Sequence, residues 1–240
     1  MNGTNEDPLM VSGQSVSLRS LVTDRIRVAI VTGYFRPGRQ LRERELCEMT
    51  GVSRPSLREA LRQLETEGLI TTAPHRGPMV TSLTVEEVEH LYSLRRALES
   101  FAAKEFARRR SEAALEALRS ATARLAQIDG KGSPLEMLEA GSNFYRVIAE
   151  GSGNPYLSEA LARLHNRIKL IRFIALHDKD STSESFRWLK ELGEAVIDGD
   201  AAAAERICAK HLQGVSAMAQ TIVANGYQLP GNSNSDLASF

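Results

Sequence analysis

Arginines 54, 58 and 62 stand about one helical turn apart in the stretch Thr50 to Leu69, TGVSRPSLREALRQLETEGL. Guanidinium forks at that spacing form a stripe that can bond phosphate oxygens, or the O6 and N7 of guanine in a major groove. On an ordinary surface helix the same stripe would be solvated charge and nothing more. The residues around it favour the first use. Leu57, Ala60, Leu61 and Leu64 follow the i, i+4, i+7 spacing of a buried helix face, so the arginines have an apolar back. Ser53 is an N-cap type, and Pro55 is tolerated in a first turn, where its missing N–H has no intrahelical partner. Gly51 supplies the permissive backbone of a tight turn just before.

The elements that hold such a helix are legible on both sides. From about Ser17, Leu18, Leu21, Val22, Ile26, Ala29 and Ile30 make a helical stripe that ends at Gly33. Phe35-Arg36-Pro37-Gly38 reads as a turn, and a short second helix is expected from Arg44 to Met49, with Cys47 as a buried small residue. After the arginine helix come LITTAP (Leu69 to Pro74), His75-Arg76-Gly77 and PMVTSL (Pro78 to Leu83), two β-rich runs around a basic turn. A helix pair followed by a hairpin wing is a winged helix-turn-helix, expected over residues 15–83 behind a flexible tail at 1–14.

At 240 residues the chain has room for a second domain. Its formal charge of zero hides an asymmetry. From Ser15 to Val80 there are 11 Arg and no Lys against 7 Asp plus Glu, a net of +4, which leaves −4 for the remainder. The phosphate-binding field therefore belongs to the N-terminal module. The two cysteines, Cys47 and Cys208, make no disulfide framework. No run approaches the roughly 18 apolar residues of a membrane span, and MNGTNEDPLMVSGQSVS has acid where a signal peptide has base. A cytoplasmic location is the expectation.

Thr84 to Glu87 is a capping box, and beyond it everything reads as helix. Helices are expected at about 84–110, with Leu91, Leu94, Leu98, Phe101 and Ala102 as the apolar stripe, and at 111–128, 134–150, 154–176, 183–197 and 201–224. The breaks are 130–133, 151–153, the polar segment His177 to Thr182, and Gly199-Asp200. The fold class is thus mainly α: a winged helix-turn-helix, then an all-α bundle of about six helices over 84–225, then a disordered tail at 226–240. No Walker loop, dinucleotide fingerprint, HExxH or CxxC is present, so an enzyme is not expected.

The run from Arg36 to Val80, with RPGRQLRERELCEMTGVSRPSLREALRQLETEGLI and PHRGPMV, resembles the DNA-binding domain of the GntR regulators. In that family the recognition-helix arginines, an arginine on the preceding helix and the wing tip touch the operator. The resemblance carries these roles to Arg54, Arg58, Arg44, His75 and Gly77. Ser53 and Ser56 join them as hydroxyls at the helix start, and Arg76 as a phosphate contact by its chemistry. The second half is similar to the FCD-type ligand-sensing domain of the FadR branch, through Arg95-xx-Leu98-Glu99, Phe144, Asn154, Ala195 to Asp200 and His211-Leu212. Six helices would place it in the VanR-like subgroup.

Many members of that group hold a divalent metal through an Asp and a His one turn apart and two later histidines. The resemblance aligns those positions with Gly141, Tyr145, Leu189 and His211. Glycine and leucine have no ligand atom and a phenol is a poor ligand for zinc, so no metal or other cofactor is expected. Tyr145 and His211 are instead expected to face one cavity, with Arg95 and Arg172 holding an acidic effector through the fork geometry that suits carboxylates. A cation within the apolar KLIRFIAL run needs an anionic partner, which a bound carboxylate or an internal Glu would supply. His165 would line the pocket or merely pack, and His177 to Asp180 would be a solvated connection. Trp188, next to Leu189, is expected near the cavity. These readings imply a transcription repressor that binds a short palindromic DNA operator as a homodimer and answers to a small molecule. The alternative is a bundle that only dimerises.

Overall fold

A computed structural model describes residues 14–73, 76–129 and 131–228. Helices α1 (Gln14–Val31), α2 (Glu43–Thr50) and α3 (Arg54–Thr66) precede the strands β1 (Ile70–Ala73) and β2 (Gly77–Val80). The strands pair antiparallel, Ile70 opposite Val80 and Ala73 opposite Gly77, with Gln40 bridging to Met79 on the outer side. The turn between α2 and α3 is made by Gly51 at φ +69°, where a side chain would be strained. The apolar back of α3 is buried as its spacing predicts, Leu57, Ala60 and Leu64 being fully enclosed. Ser53 occupies the N-cap position, but its hydroxyl bonds Ser56 Oγ at 3.0 Å and caps no backbone N–H. The end of α3 is clamped to α1 by Arg27, whose Nε and Nη2 donate to the two oxygens of Glu67 at 2.9 and 2.8 Å.

The helical domain follows: α4 (Val85–Arg109), α5 (Glu112–Ile128), α6 (Pro134–Gly151), α7 (Pro155–Arg167), α8 (Lys169–Ala175), α9 (Lys179–Asp198) and α10 (Ala201–Ala224). The capping box is formed in full: Glu87 N–H donates to Thr84 Oγ1 at 3.2 Å, and Thr84 N–H to Glu87 Oε2 at 2.8 Å. Helix α10 lies along α4, and α5, α6 and α9 close the bundle around Phe106, Leu118, Phe144 and Val196.

Three expectations need correction. The inward face of α4 is Val88, Tyr92, Arg95, Glu99, Ala102 and Phe106, while Leu94 and Phe101 stand 48% and 47% exposed. Leu91, Leu98 and Ala102 of the expected stripe do pack in the core, but an ion pair, Arg95 with Glu99, shares that inward face. The expected helix at 154–176 is two helices, broken at Ile168 (φ −106°, ψ 5°) by a turn in which Ile168 N–H bonds His165 C=O. The count of six that pointed to a subgroup is met only if α7 and α8 are taken as one. Finally, the segment His177 to Thr182 is mostly helix, because Asp178 accepts from Ser181 N–H at 3.0 Å and starts α9 at Lys179.

The two domains share apolar packing. Leu138 of α6 and Phe173 of α8 lie in the same cluster as Val22, Ile26, Phe35 and Leu57 of the winged helix. Tyr227 ties the far end to the linker, its hydroxyl taking Leu83 N–H at 2.7 Å and donating to Leu83 C=O at 3.0 Å. Ordered chain therefore runs past 226, where a tail was expected; 1–13 and 229–240 lie outside the described residues.

Candidate nucleic-acid interface and interior cavity

The arginine stripe of α3 faces solvent. Arg54 and Arg58 are exposed in its first turns, with Ser56 half-buried between them. Arg44, on α2, has 85% of its side chain exposed and lies 3.8 Å from Glu48, beyond hydrogen-bond reach. Arg76 is exposed at the wing turn and its N–H bonds Ala73 C=O at 3.1 Å; Gly77 opens β2 at φ +74°. His75 lies outside the described residues. The stripe and the wing are thus continuous with one core and present cations outward. Arg58 alone among the site arginines is closely held, its Nε donating to both oxygens of Glu43 at 2.8 and 3.0 Å. That hydrogen bond, with the charges of Arg58 and Arg54, keeps the Glu43 carboxyl below its ordinary range.

Inside the helical domain a cavity of about 80 Å³ opens between α4, α6, α8, α9 and α10. Arg95, Tyr145, Arg172 and His211 all line it. Arg95 is 1% exposed. Its Nε donates to Glu99 Oε1 at 2.6 Å, its Nη2 reaches Oε2 at 3.4 Å, and its guanidinium lies over the Tyr92 ring at 4.7 Å. His165 Nε2 shares Glu99 Oε1 at 2.8 Å. Burial pushes the Glu99 carboxyl up, but the charge of Arg95 and the bonds from Arg95 and His165 overcome it and leave the group at about 2. Burial outweighs Glu99 at His165 and lowers its imidazole. The Arg95 charge is therefore spent internally.

Arg172 is different. Its Nη1 donates to Ser142 Oγ at 3.2 Å and its guanidinium lies over the Tyr145 ring at 5.2 Å, yet it has no carboxylate partner among the described residues. Burial, then the neighbouring Arg95, lowers its proton affinity. Gly141 makes room for it: a Cβ there would sit 3.0 Å from Arg172 Nη2. Tyr145 and His211 share a hydrogen bond, O to Nε2, of 2.8 Å. Burial and the nearby Arg95 push His211 down to about 4, so the ring is neutral.

Gly141, Tyr145, Leu189 and His211 all reach the cavity wall, but they do not fit a divalent metal. Their donors are one phenol and one imidazole already bonded to each other, two arginines face the same space, and no carboxylate lines it among the described residues. No cluster of three or more His, Cys, Asp or Glu suited to a metal occurs among the described residues. Sequence reasoning missed Tyr92, Ser181, Thr182 and Ser185 on the cavity wall and gave Glu99 no site role, although Arg95 and Glu99 stand at ion-pairing i, i+4 spacing. Trp188 turns away from the cavity and stacks under Lys210 Nζ at 5.1 Å.

Two family models match the chain: the bacterial regulatory proteins of the gntR family over residues 18–80, and the FCD domain over 90–214. It is 34% identical over 146 residues to the Nta operon transcriptional regulator of Aminobacter aminovorans, covering 60% of this chain and 68% of that one. It is 27% identical over 198 residues to the probable D-xylose utilization operon transcriptional repressor of Paenarthrobacter nicotinovorans, covering 82% and 86%. Among solved structures, a GntR transcriptional regulator from Rhodococcus sp. RHA1 superposes with a TM-score of 0.72 at 23% identity, over 88% of this chain and all of that one. No described helix is long and apolar enough to cross a membrane.

Proposed function

Since the chain belongs to the gntR family of bacterial transcription regulators and carries an FCD domain, we propose that it is a cytoplasmic repressor, not an enzyme, that binds a short palindromic operator as a homodimer and responds to a small acidic effector. The observation that carries the DNA reading is the exposed arginine face of α3, flanked by Arg44 and the wing. Two such faces related by a two-fold axis fit two half-sites one helical turn apart. Leu94 and Phe101, seven residues apart on the outer face of α4, offer apolar surface for the second copy.

The effector reading rests on Arg172, a partly buried cation with no acidic partner among the described residues, at the wall of an interior cavity. A carboxylate held by that fork would supply the missing charge, with Tyr145 and His211 as neutral hydrogen-bonding partners and no metal. The same helix supplies a route outward. Phe173, the next residue, lies in the core of the winged helix, and Leu176 touches both the cavity and that core. A ligand that draws Arg172 from Ser142 would shift α8 against α1. These features favour sensing over a bundle that only dimerises.

The test is selection from a random duplex library by the full-length chain, with sedimentation of the free protein. An inverted repeat and a species near 53 kDa, twice the 26.4 kDa of one chain, are expected. A monomer at micromolar concentration would contradict the preformed dimer.

A further inference from the structure

A carboxylate sits in the middle of the proposed DNA face. Glu43, in the first turn of α2, reaches across to Arg58 of α3, and its side chain is 32% exposed against 59% for the arginine. Such a group repels phosphate and weakens any binding that depends on charge alone. Its geometry suggests what offsets that cost. Glu43 engages only the Nε of Arg58. The Nη1 and Nη2 edge is left without a bond to the described residues. That edge remains able to form a bidentate pair with guanine O6 and N7. Arg44, Arg54 and Arg62 lack such an anchor: Arg44 to Glu48 and Arg62 to Glu59 are loose contacts of 3.8 and 3.7 Å, and Arg54 has no ion pair among the described residues.

We propose that Glu43 is a positioning residue for base readout: it fixes the Arg58 fork toward a guanine edge and raises sequence specificity while lowering affinity for DNA in general. Holding the fork before contact removes rotamer freedom that would otherwise be lost on binding, and only a correctly placed base benefits. The inference rests on the operator-binding reading above.

The test compares wild type, Glu43→Ala, Arg58→Ala and the double variant on a duplex selected by the wild-type chain and on a scrambled duplex, at one salt concentration. Glu43 is exposed enough that the variants should keep the wild-type melting temperature within a few degrees. Glu43→Ala is expected to bind the scrambled duplex about twofold more tightly, from lost repulsion, and the selected duplex at least about fivefold more weakly, a fraction of one base contact. Reselection with Glu43→Ala should lose a guanine preference at one position per half-site, and Glu43→Gln, which keeps an acceptor, should restore part of it. In the Arg58→Ala background, Glu43→Ala should tighten both duplexes equally. Tighter binding of both duplexes by Glu43→Ala alone, with the selected motif unchanged, would overturn the inference and leave the regulator reading intact. If the wild-type chain selects no motif at all, both fall.

Discussion

The winged helix and the helical domain use arginine in opposite ways. On α2, α3 and the wing, Arg44, Arg54 and Arg76 stand in water with loose partners or none among the described residues. Inside the bundle Arg95 is enclosed, doubly bonded to Glu99 and stacked on Tyr92. A solvated guanidinium costs almost nothing to fold and contributes little until phosphate arrives. A buried one has lost its hydration and is tolerated only because its counter-charge was buried with it. Mutating the first kind should therefore change binding without changing stability, and mutating the second kind should change stability whatever is bound.

The largest expected effect is at Glu99. Glu99→Ala leaves Arg95 enclosed beside Arg172 with no carboxylate, and should destabilise the fold by roughly 3–5 kcal/mol in urea titration. Replacing both partners, Arg95→Met with Glu99→Leu, should lose far less, because no uncompensated charge remains. A loss under about 1 kcal/mol for Glu99→Ala would erase the contrast.

Next in size is the pH dependence. His211 falls from 6.5 to about 4 through burial and Arg95, and Glu99 ends at about 2 against an ordinary 4.5. In both cases the unfolded chain binds protons more tightly than the folded one. Their stability is whole above the unfolded values and is lost as the pH falls. The His211 share should go between about 6.5 and 4, and the Glu99 share between about 4.5 and 2. His165, also lowered, adds to the first limb. His211→Gln should flatten part of that limb in thermal melts from pH 7 to 4. The winged helix adds to the second limb through Glu43 and Glu67, whose carboxyls Arg58 and Arg27 hold below the ordinary range.

The contrast also explains what could be read from the chain alone. The winged helix follows period and punctuation: Leu57 to Leu64 at helical spacing, Gly51 at the turn, β-rich runs around His75 to Gly77. Each signal is local, and the elements fall within a few residues of where they were expected. In α4 two of the inward positions are charged, so hydrophobic periodicity found Leu91, Leu98 and Ala102 but also took Leu94 and Phe101, and passed over Arg95 and Glu99. The break at Ile168 has no Gly or Pro to announce it. The polar run before α9 hid a cap in Asp178. That Gly141, Tyr145, Leu189 and His211 reach one cavity came from family resemblance; nothing in their spacing would reveal it.

On the DNA side the effects are smaller and confined to binding. Arg54→Ala and Arg58→Ala should each weaken a selected duplex by about 1–3 kcal/mol in fluorescence anisotropy, while stability stays within about 0.5 kcal/mol. Arg76→Ala should weaken selected and scrambled duplexes alike and reduce the salt slope by about one. Wild-type affinity in both helix variants would remove α3 from the interface.

Arg172 is the residue that crosses the divide, and its stability effect should be the smallest. It is placed like Arg95, at the wall of the cavity, yet like Arg54 it has no carboxylate partner among the described residues. Burial already lowers its proton affinity. Arg172→Met keeps much of the volume and removes an uncompensated charge, so stability should stay within about 1 kcal/mol of wild type or rise. What the variant should lose is a response to ligand. A small organic acid at ten times its dissociation constant stabilises a single site by about 1.4 kcal/mol, a few degrees in the melting temperature of a domain this size. A panel of such acids should contain one that raises the wild-type melting temperature and leaves Arg172→Met unmoved. Melting temperature is the better readout here, because Trp188 faces Lys210 and not the cavity. A loss of about 3 kcal/mol or more in Arg172→Met would mean that the fold already holds its counter-charge. Arg172 would then be structural in the way Arg95 is, and the cavity would have no cation to offer an anion.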